Sequence, residues 1–179
     1  MITIIDDFLD KDDFEKLKTF YEGGKVRWSY LPTQVYLYEQ EQETFQFVDV
    51  VYNHETREHT ETLHEYFVPL LKKLNAKALV RLKVNLTTIT DKPSKSILHT
   101  DFTDIVCKTA ILYINTNNGY TIFENGVSVN SVANRVVLFD SNLLHTGVST
   151  TDQKVRLVAN INYYDNMELV EDPKGEIAL

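Results

Sequence analysis

Two histidines and one aspartate are the residues of this sequence whose types and spacing best fit a metal-binding site. His99 and Asp101 lie two positions apart in residues 97–102, which the sequence predicts to be a strand. Side chains two apart on a strand project from the same face, so this imidazole and this carboxylate can bind one metal ion. His145 follows 44 residues after Asp101, far enough for a distant strand to return beside the first.

A site with two histidines and one carboxylate suggests a particular chemistry. Three such ligands occupy one face of an octahedron and leave the other positions open, which suits non-haem Fe(II) oxygenases. Zinc bound by two histidines and a carboxylate is the chemical alternative. The alternative without a metal is that His145 caps a turn by hydrogen bonding. No serine nucleophile or general base stands out, so we assign no catalytic residue beyond the metal ligands.

A basic residue follows His145 in a strand with alternating side chains. Within residues 154–164, one face carries Arg156, Val158, Asn160 and Asn162, while the apolar side chains of the other face are expected to pack into hydrophobic layers. Arg156 then faces the same interior as the metal ligands. A buried guanidinium needs a partner, and its planar fork suits a carboxylate bound at two points. We expect that carboxylate to belong to a ligand; the alternative is an arginine at a sheet edge, paired with a surface acid.

In this order and spacing, these residues resemble the Fe(II)- and 2-oxoglutarate-dependent dioxygenases, and among them the prolyl-4-hydroxylase-like branch with its small phage-type members. The resemblance covers residues 79–164, about half of the chain, with weaker similarity at residues 5–9. It includes the runs at residues 81–86 and 111–115 and the strand and turn at residues 139–145. The sequence departs from many prolyl hydroxylases at Ile89, which stands near the place of a tyrosine ahead of their metal motif.

The resemblance implies the cofactors. His99, Asp101 and His145 would bind Fe(II), and 2-oxoglutarate and dioxygen would be the co-substrates. It leaves ascorbate open as a further cofactor.

The resemblance also implies how 2-oxoglutarate is held. Arg156 would pair with its distal carboxylate, and Tyr113 would donate a hydrogen bond to the same group. The spacing from the distal histidine to Arg156 is slightly longer than in many relatives, so Lys154 is kept as a substitute for Arg156. Asn85 and Asn160 are expected to line the site.

The activity implied is hydroxylation of a substrate, with peptidyl proline as one candidate, and release of succinate and CO2. Two alternatives stay open: a non-catalytic metal-binding jelly-roll module, and a nucleic-acid demethylase of the same superfamily. The chain has 18 basic and 26 acidic side chains and a net charge of −8, which disfavours binding to phosphate backbones. We therefore expect a peptide or small-molecule substrate, with nucleic acid disfavoured and no membrane partner.

These residues must be positioned by the elements of the chain. Its N-terminal part is predicted to be helical and its C-terminal part to be rich in β-strands. Helices are predicted over residues 10–21 and 55–74, the second with a kink or a division at Pro69. Many short strands separated by turns indicate a sandwich or barrel. The resemblance implies a mainly β fold with flanking helices, the double-stranded β-helix (jelly roll) of cupin-like proteins. Strands are predicted at residues 2–5, 26–38, 44–52, 79–88, 97–102, 106–114, 121–123, 127–129, 135–139 and 154–164.

Length and composition are typical of one packed domain, with 179 residues, 43% hydrophobic and 25% charged. We expect a single domain over residues 1–179, with helical support at 1–78, a jelly-roll core at 79–164 and an acidic tail at 165–179. No apolar stretch approaches the ~18 residues of a membrane span, and the first residues lack a signal-peptide pattern. The single cysteine, Cys107, is compatible with a reducing compartment, so we expect a cytoplasmic location.

Overall fold

The computed structural model describes residues 1–33, 45–102 and 104–166. Within them are two α-helices, α1 (Lys11–Glu22) and α2 (Val68–Lys73), and a π-helical turn (Leu63–Phe67) directly before α2. The strands are β1 (Thr3–Ile5), β2 (Ser29–Leu31), β3 (Gln46–Asn53), β4 (Glu58–His59), β5 (Ala78–Thr88), β6 (Lys108–Tyr113), β7 (Tyr120–Phe123), β8 (Ser128–Asn130), β9 (Val136–Asp140), β10 (His145–Val148) and β11 (Val155–Tyr164).

The strands form two antiparallel sheets. The larger sheet has the order β1-β9-β6-β11-β5-β3-β2, with β4 paired to β3, and the smaller has the order β10-β7-β8. Neighbouring strands are distant in sequence, as β9, β6 and β11 are. Such crossing connections between two layers are those of a jelly roll, so the predicted mainly β fold with flanking helices is confirmed.

The apolar core is divided into two clusters by the larger sheet. One cluster joins the buried face of α1, through Phe14, Leu17 and Tyr21, to the outer face of the sheet. That face of β11 carries the apolar set that alternation predicted, including Leu157 and Ile161. The second cluster lies between the two sheets. The inner faces of the sheets are therefore the place where polar side chains can surround a ligand.

The prediction of one helix over residues 55–74 is wrong at its start. Residues 58–59 pair with β3 as β4, and the chain is helical only from Glu61 onward. The expected division near Pro69 is present, because Pro69 lies in the first turn of α2, where a missing N–H is tolerated. Asn75 follows α2 with a φ of 55°, a left-handed conformation that ends the helix.

The prediction of a strand over residues 97–102 is also wrong. Two isolated bridges, Lys95 with Val148 and His99 with His145, join this segment to β10. The bridges are four residues apart on one side and three on the other, so one extra residue interrupts the ladder. The sequence predicts a turn ahead of His145 but no strand after it, so β10 is an element that the sequence analysis missed. The segment that contains His99 and Asp101 is thus paired with the strand of His145 through single bridges only.

The N-terminal residues 1–78, expected to be helical support, contribute strands as well as helices. β1, β2 and β3 all belong to the larger sheet, so that sheet extends across the expected boundary at residue 79. Parts of the strands predicted at 26–38 and 44–52 fall on residues 34–44, which lie outside the described residues. The same holds for residues 167–179 of the expected acidic tail.

Candidate metal centre

The two histidines are brought together by their backbones. His145 opens β10, and its backbone N–H donates to the carbonyl of His99 at 3.0 Å, while the N–H of His99 donates to the carbonyl of His145 at 3.0 Å. The two rings lie side by side with centroids 4.9 Å apart. With Asp101, they place three potential ligand atoms within 4.8 Å of one another. In the described part of the chain, no other such cluster of histidine, cysteine and acidic side chains is found.

Each histidine is oriented by a carbonyl of its own chain segment. Nδ1 of His99 lies 3.1 Å from the carbonyl oxygen of Ile97, and Nδ1 of His145 lies 2.9 Å from that of Leu143. Because a carbonyl only accepts, each Nδ1 carries the proton and each Nε2 keeps its lone pair. Burial, together with the neighbouring His145, lowers the pKa of His99 to about 4. His99 is therefore neutral at physiological pH, as a metal ligand must be.

Asp101 is held by three donors that the sequence patterns did not assign to the site. Arg81 Nη2 lies 2.9 Å from Oδ1, and Thr109 Oγ1 and Asn162 Nδ2 each donate to Oδ2 at 2.9 Å. Burial by itself raises the pKa of Asp101, but the positive charges around it, including that of Arg81, lower the pKa overall. Asp101 is therefore an ionised carboxylate in a fixed orientation. Alternation puts Arg81 on the strand face of Asn85 and Thr109 on that of Tyr113, as it puts Asn162 on that of Arg156. It does not show that the three side chains meet at Asp101.

A small cavity extends from the two histidines into the space between the sheets. Its volume is about 60 Å³, and His99 and His145 line one part of it while Arg156 lines another. Asn85, Thr87 and Asn160 also line it, and one buried side-chain oxygen of each has no hydrogen-bond partner among the described residues. Unsatisfied buried polar atoms are costly unless a ligand or water meets them. The lining therefore fits a polar ligand.

Arg156 is a buried cation in this cavity. It is 5% exposed, and its Nε donates to Ser131 Oγ at 3.0 Å and its Nη2 to Thr121 Oγ1 at 3.2 Å. None of the carboxylates in the described part of the chain forms an ion pair with it. Lys154 is exposed. Burial lowers the pKa of Arg156, whereas contact with Tyr113 acts the other way.

Tyr113 lies beside the small cavity, in contact with Thr121 and Arg156. Its hydroxyl donates to Thr121 Oγ1 at 2.8 Å, and its ring lies 5.6 Å from the Arg156 guanidinium carbon. Thr121, and not Tyr113, lines the small cavity. Because Thr121 Oγ1 accepts from both Tyr113 and Arg156, its own hydroxyl proton is the part left to donate to a ligand.

A second, larger cavity opens on the other side of the metal cluster. It measures about 740 Å³, and His99 and Asp101 form part of its wall together with His54, Glu55 and Phe102. His99 therefore lines both cavities. One cluster of potential metal ligands thus borders both a small cavity that contains a buried arginine and a larger cavity.

Solved structures of other proteins share this fold. The chain is similar to a prolyl hydroxylase from Trichoplax adhaerens in complex with a hypoxia inducible factor peptide fragment, with a TM-score of 0.61, 16% identity, and 92% of this chain and 83% of that chain covered. The fold is that of the 2-oxoglutarate- and iron-dependent oxygenases. The chain is also similar to a Pseudomonas putida prolyl-4-hydroxylase, with a TM-score of 0.57, 14% identity, and 91% of this chain and 92% of that chain covered.

A third similar structure is that of an enzyme with a different activity. It is the non-heme alpha ketoglutarate dependent epimerase SnoN from nogalamycin biosynthesis, with a TM-score of 0.62, 12% identity, and 92% of this chain and 78% of that chain covered. At these identities the likeness is one of fold. No protein-family model and no curated protein matches the sequence. Among the described residues, neither helix is long and apolar enough to cross a bilayer.

Proposed function

We propose that this protein is an Fe(II)- and 2-oxoglutarate-dependent dioxygenase that hydroxylates a substrate and releases succinate and CO2. The observation that carries the proposal is one arrangement: a cluster of two histidines and a carboxylate opens into a polar cavity that contains a buried arginine without a carboxylate partner among the described residues. An iron ion fits the donor set of His99, Asp101 and His145, since two neutral imidazoles and one carboxylate leave coordination positions open.

The residues of the chain would bind and orient the reactants. Bound Fe(II) would supply the redox chemistry by which dioxygen oxidises 2-oxoglutarate and hydroxylates the substrate. Arg156 would bind the distal carboxylate of 2-oxoglutarate through its guanidinium, with the Thr121 hydroxyl as a second donor. Tyr113 would act through Thr121 and Arg156, which it positions. Arg156 is buried, and this shielding from water would strengthen its charged contacts.

The larger cavity is the place we propose for the substrate. It borders His99 and Asp101 and is open to solvent, so a side chain of a peptide or a small molecule can reach the metal. Peptidyl proline is the first substrate to test, because two of the similar structures are prolyl hydroxylases. The net charge of −8 disfavours a nucleic acid. We also propose a cytoplasmic location, since Cys107 is a free, buried thiol.

Anaerobic titration with Fe(II) and 2-oxoglutarate tests the proposal. The wild-type protein should develop the weak visible charge-transfer band of a 2-oxo acid chelated to Fe(II), and Asp101→Ala should abolish it. Asp91→Ala, which removes an exposed carboxylate in a loop, is the matched control and should leave the band intact. If no band forms in the wild type, or if Asp101→Ala binds iron equally well, the proposal is wrong.

A turnover assay separates the enzyme from a binding module. Succinate should form from 2-oxoglutarate in the presence of Fe(II), oxygen and proline-containing peptides, with Asp101→Ala inactive. Iron and 2-oxoglutarate binding without succinate from any tested peptide or small molecule would instead support a metal-binding module without turnover.

A further inference from the structure

The inner face of β5 carries four polar side chains in a row between the metal cluster and Arg156. They are Arg81, Lys83, Asn85 and Thr87, and successive members are about 6.6 Å apart along the strand. The pairing with β11 sets their order, because Thr87 lies opposite Arg156, Lys83 opposite Asn160 and Arg81 opposite Asn162. Arg81 and Asn162 both contact Asp101. Lys83 is therefore one step from the Asp101 end and two steps from Arg156.

Lys83 is a second cation in the same small cavity, on the strand face that Asn85 also occupies. It lines the cavity with Asn160, and its ammonium is close enough to His99 and Asp101 to act on them electrostatically. No carboxylate among the described residues forms an ion pair with it. Asp101, the acid nearest in the row, is already paired with Arg81. A cation in such a place is costly unless an anion meets it.

We propose that Lys83 binds the carboxylate of the 2-oxo acid that lies next to the metal, while Arg156 binds the distal one. This inference rests on the proposed function and adds a residue to the co-substrate site. Two cations that lack counter-charges among the described residues match a ligand with two carboxylates, and their separation along the sheet assigns one to each end. Asn160, opposite Lys83, has a buried amide oxygen without a partner in the same part of the chain. Rotation of that amide exchanges oxygen for NH2, so Asn160 can donate to the same carboxylate.

Two ligands of equal chain length distinguish the two ends. 2-Oxoglutarate has both carboxylates, whereas 2-oxopentanoate lacks the distal one. We would measure the affinity of each by calorimetry with the Mn(II)-loaded protein, which does not turn over. Lys83→Met should weaken both ligands by a similar factor, roughly 10- to 100-fold for the loss of a charged hydrogen bond. Arg156→Met should weaken 2-oxoglutarate alone. Lys92→Met removes an exposed lysine and should change neither affinity.

Each other outcome has a distinct meaning. If Lys83→Met binds both ligands as the wild type does, Lys83 has no role in binding and the inference is wrong. If it loses affinity for 2-oxoglutarate but not for 2-oxopentanoate, Lys83 belongs to the distal end, which also overturns the assignment. If the wild-type protein binds Mn(II) but neither ligand, the proposed function itself fails.

Two controls keep the test valid. Mn(II) affinity is measured without ligand for each variant, so that a lost metal is not mistaken for a lost ligand. Lys83→Arg, which keeps the charge, should retain more affinity for both ligands than Lys83→Met. If Lys83→Met does not fold, Lys83→Gln takes its place, with the same expected loss for both ligands.

Discussion

The stability of the metal-free protein should depend on pH through Lys83. Burial, with a further contribution from Arg81, lowers the pKa of Lys83 from 10.5 to about 8. The folded protein then releases this proton at a lower pH than the unfolded chain does. Between the two pKa values the unfolded state binds more protons, so the free energy of unfolding rises with pH. From pH 7 to pH 9.5 the gain from this one group is about 2 kcal/mol, taking 1.36 kcal/mol per pKa unit.

That magnitude is an upper limit, because Lys83 lines a cavity and keeps some accessible surface. The assay is urea unfolding at pH 7 and pH 9.5 with a chelator present, since a bound cation would itself change the pKa of Lys83. Lys83→Met should lose the rise and should be more stable than the wild type at pH 7, because it no longer buries a charge. Lys92→Met, in an exposed loop, should keep the wild-type rise.

The result that would refute this reasoning is an equal change in unfolding free energy between the two pH values for the wild type and Lys83→Met. Lys83 would then titrate as an ordinary surface lysine. Its place between the two sheets, and with it the argument for a second cation in the small cavity, would be wrong.

Three further substitutions test the site and its support. Asn162→Leu removes a donor to Asp101 and should lower Mn(II) affinity by roughly 10- to 100-fold in calorimetry. Asn130→Leu, at the exposed end of β8, should leave Mn(II) affinity unchanged. If Asn162→Leu binds Mn(II) as tightly as the wild type, Asn162 does not support the metal site. Gly119→Ala would place a Cβ 2.8 Å from Arg156 Cδ and from the Val148 carbonyl. The free energy of unfolding should therefore fall by about 1–3 kcal/mol, and 2-oxoglutarate should bind more weakly. An unchanged melting temperature would contradict this. Leu17 is fully buried against the outer face of the larger sheet. Leu17→Ala should lower the free energy of unfolding in urea by about 2–5 kcal/mol and leave Mn(II) affinity unchanged. Loss of Mn(II) binding in this variant would show that the two apolar clusters are not independent.

The side-chain pattern of β11 was predictable because it is local. Strand side chains alternate faces with a period of two, so the order of residue types alone places Arg156 and Asn160 inward and Leu157 outward. The same local reasoning found α1, whose buried residues recur at helical spacing. It failed for residues 97–102, where the apolar and polar types suggest a strand but a register shift against β10 leaves two single bridges.

By itself, the sequence determined which residue types were available for an iron site and the strand faces that some of them occupy. Only the tertiary structure decided their partners: the reciprocal backbone hydrogen bonds of His99 and His145, the contact of Arg81 with Asp101, and the position of Lys83 in the same cavity as Arg156. The physical reason is that these contacts join strands far apart in sequence, and the register between such strands is set by how the two sheets pack.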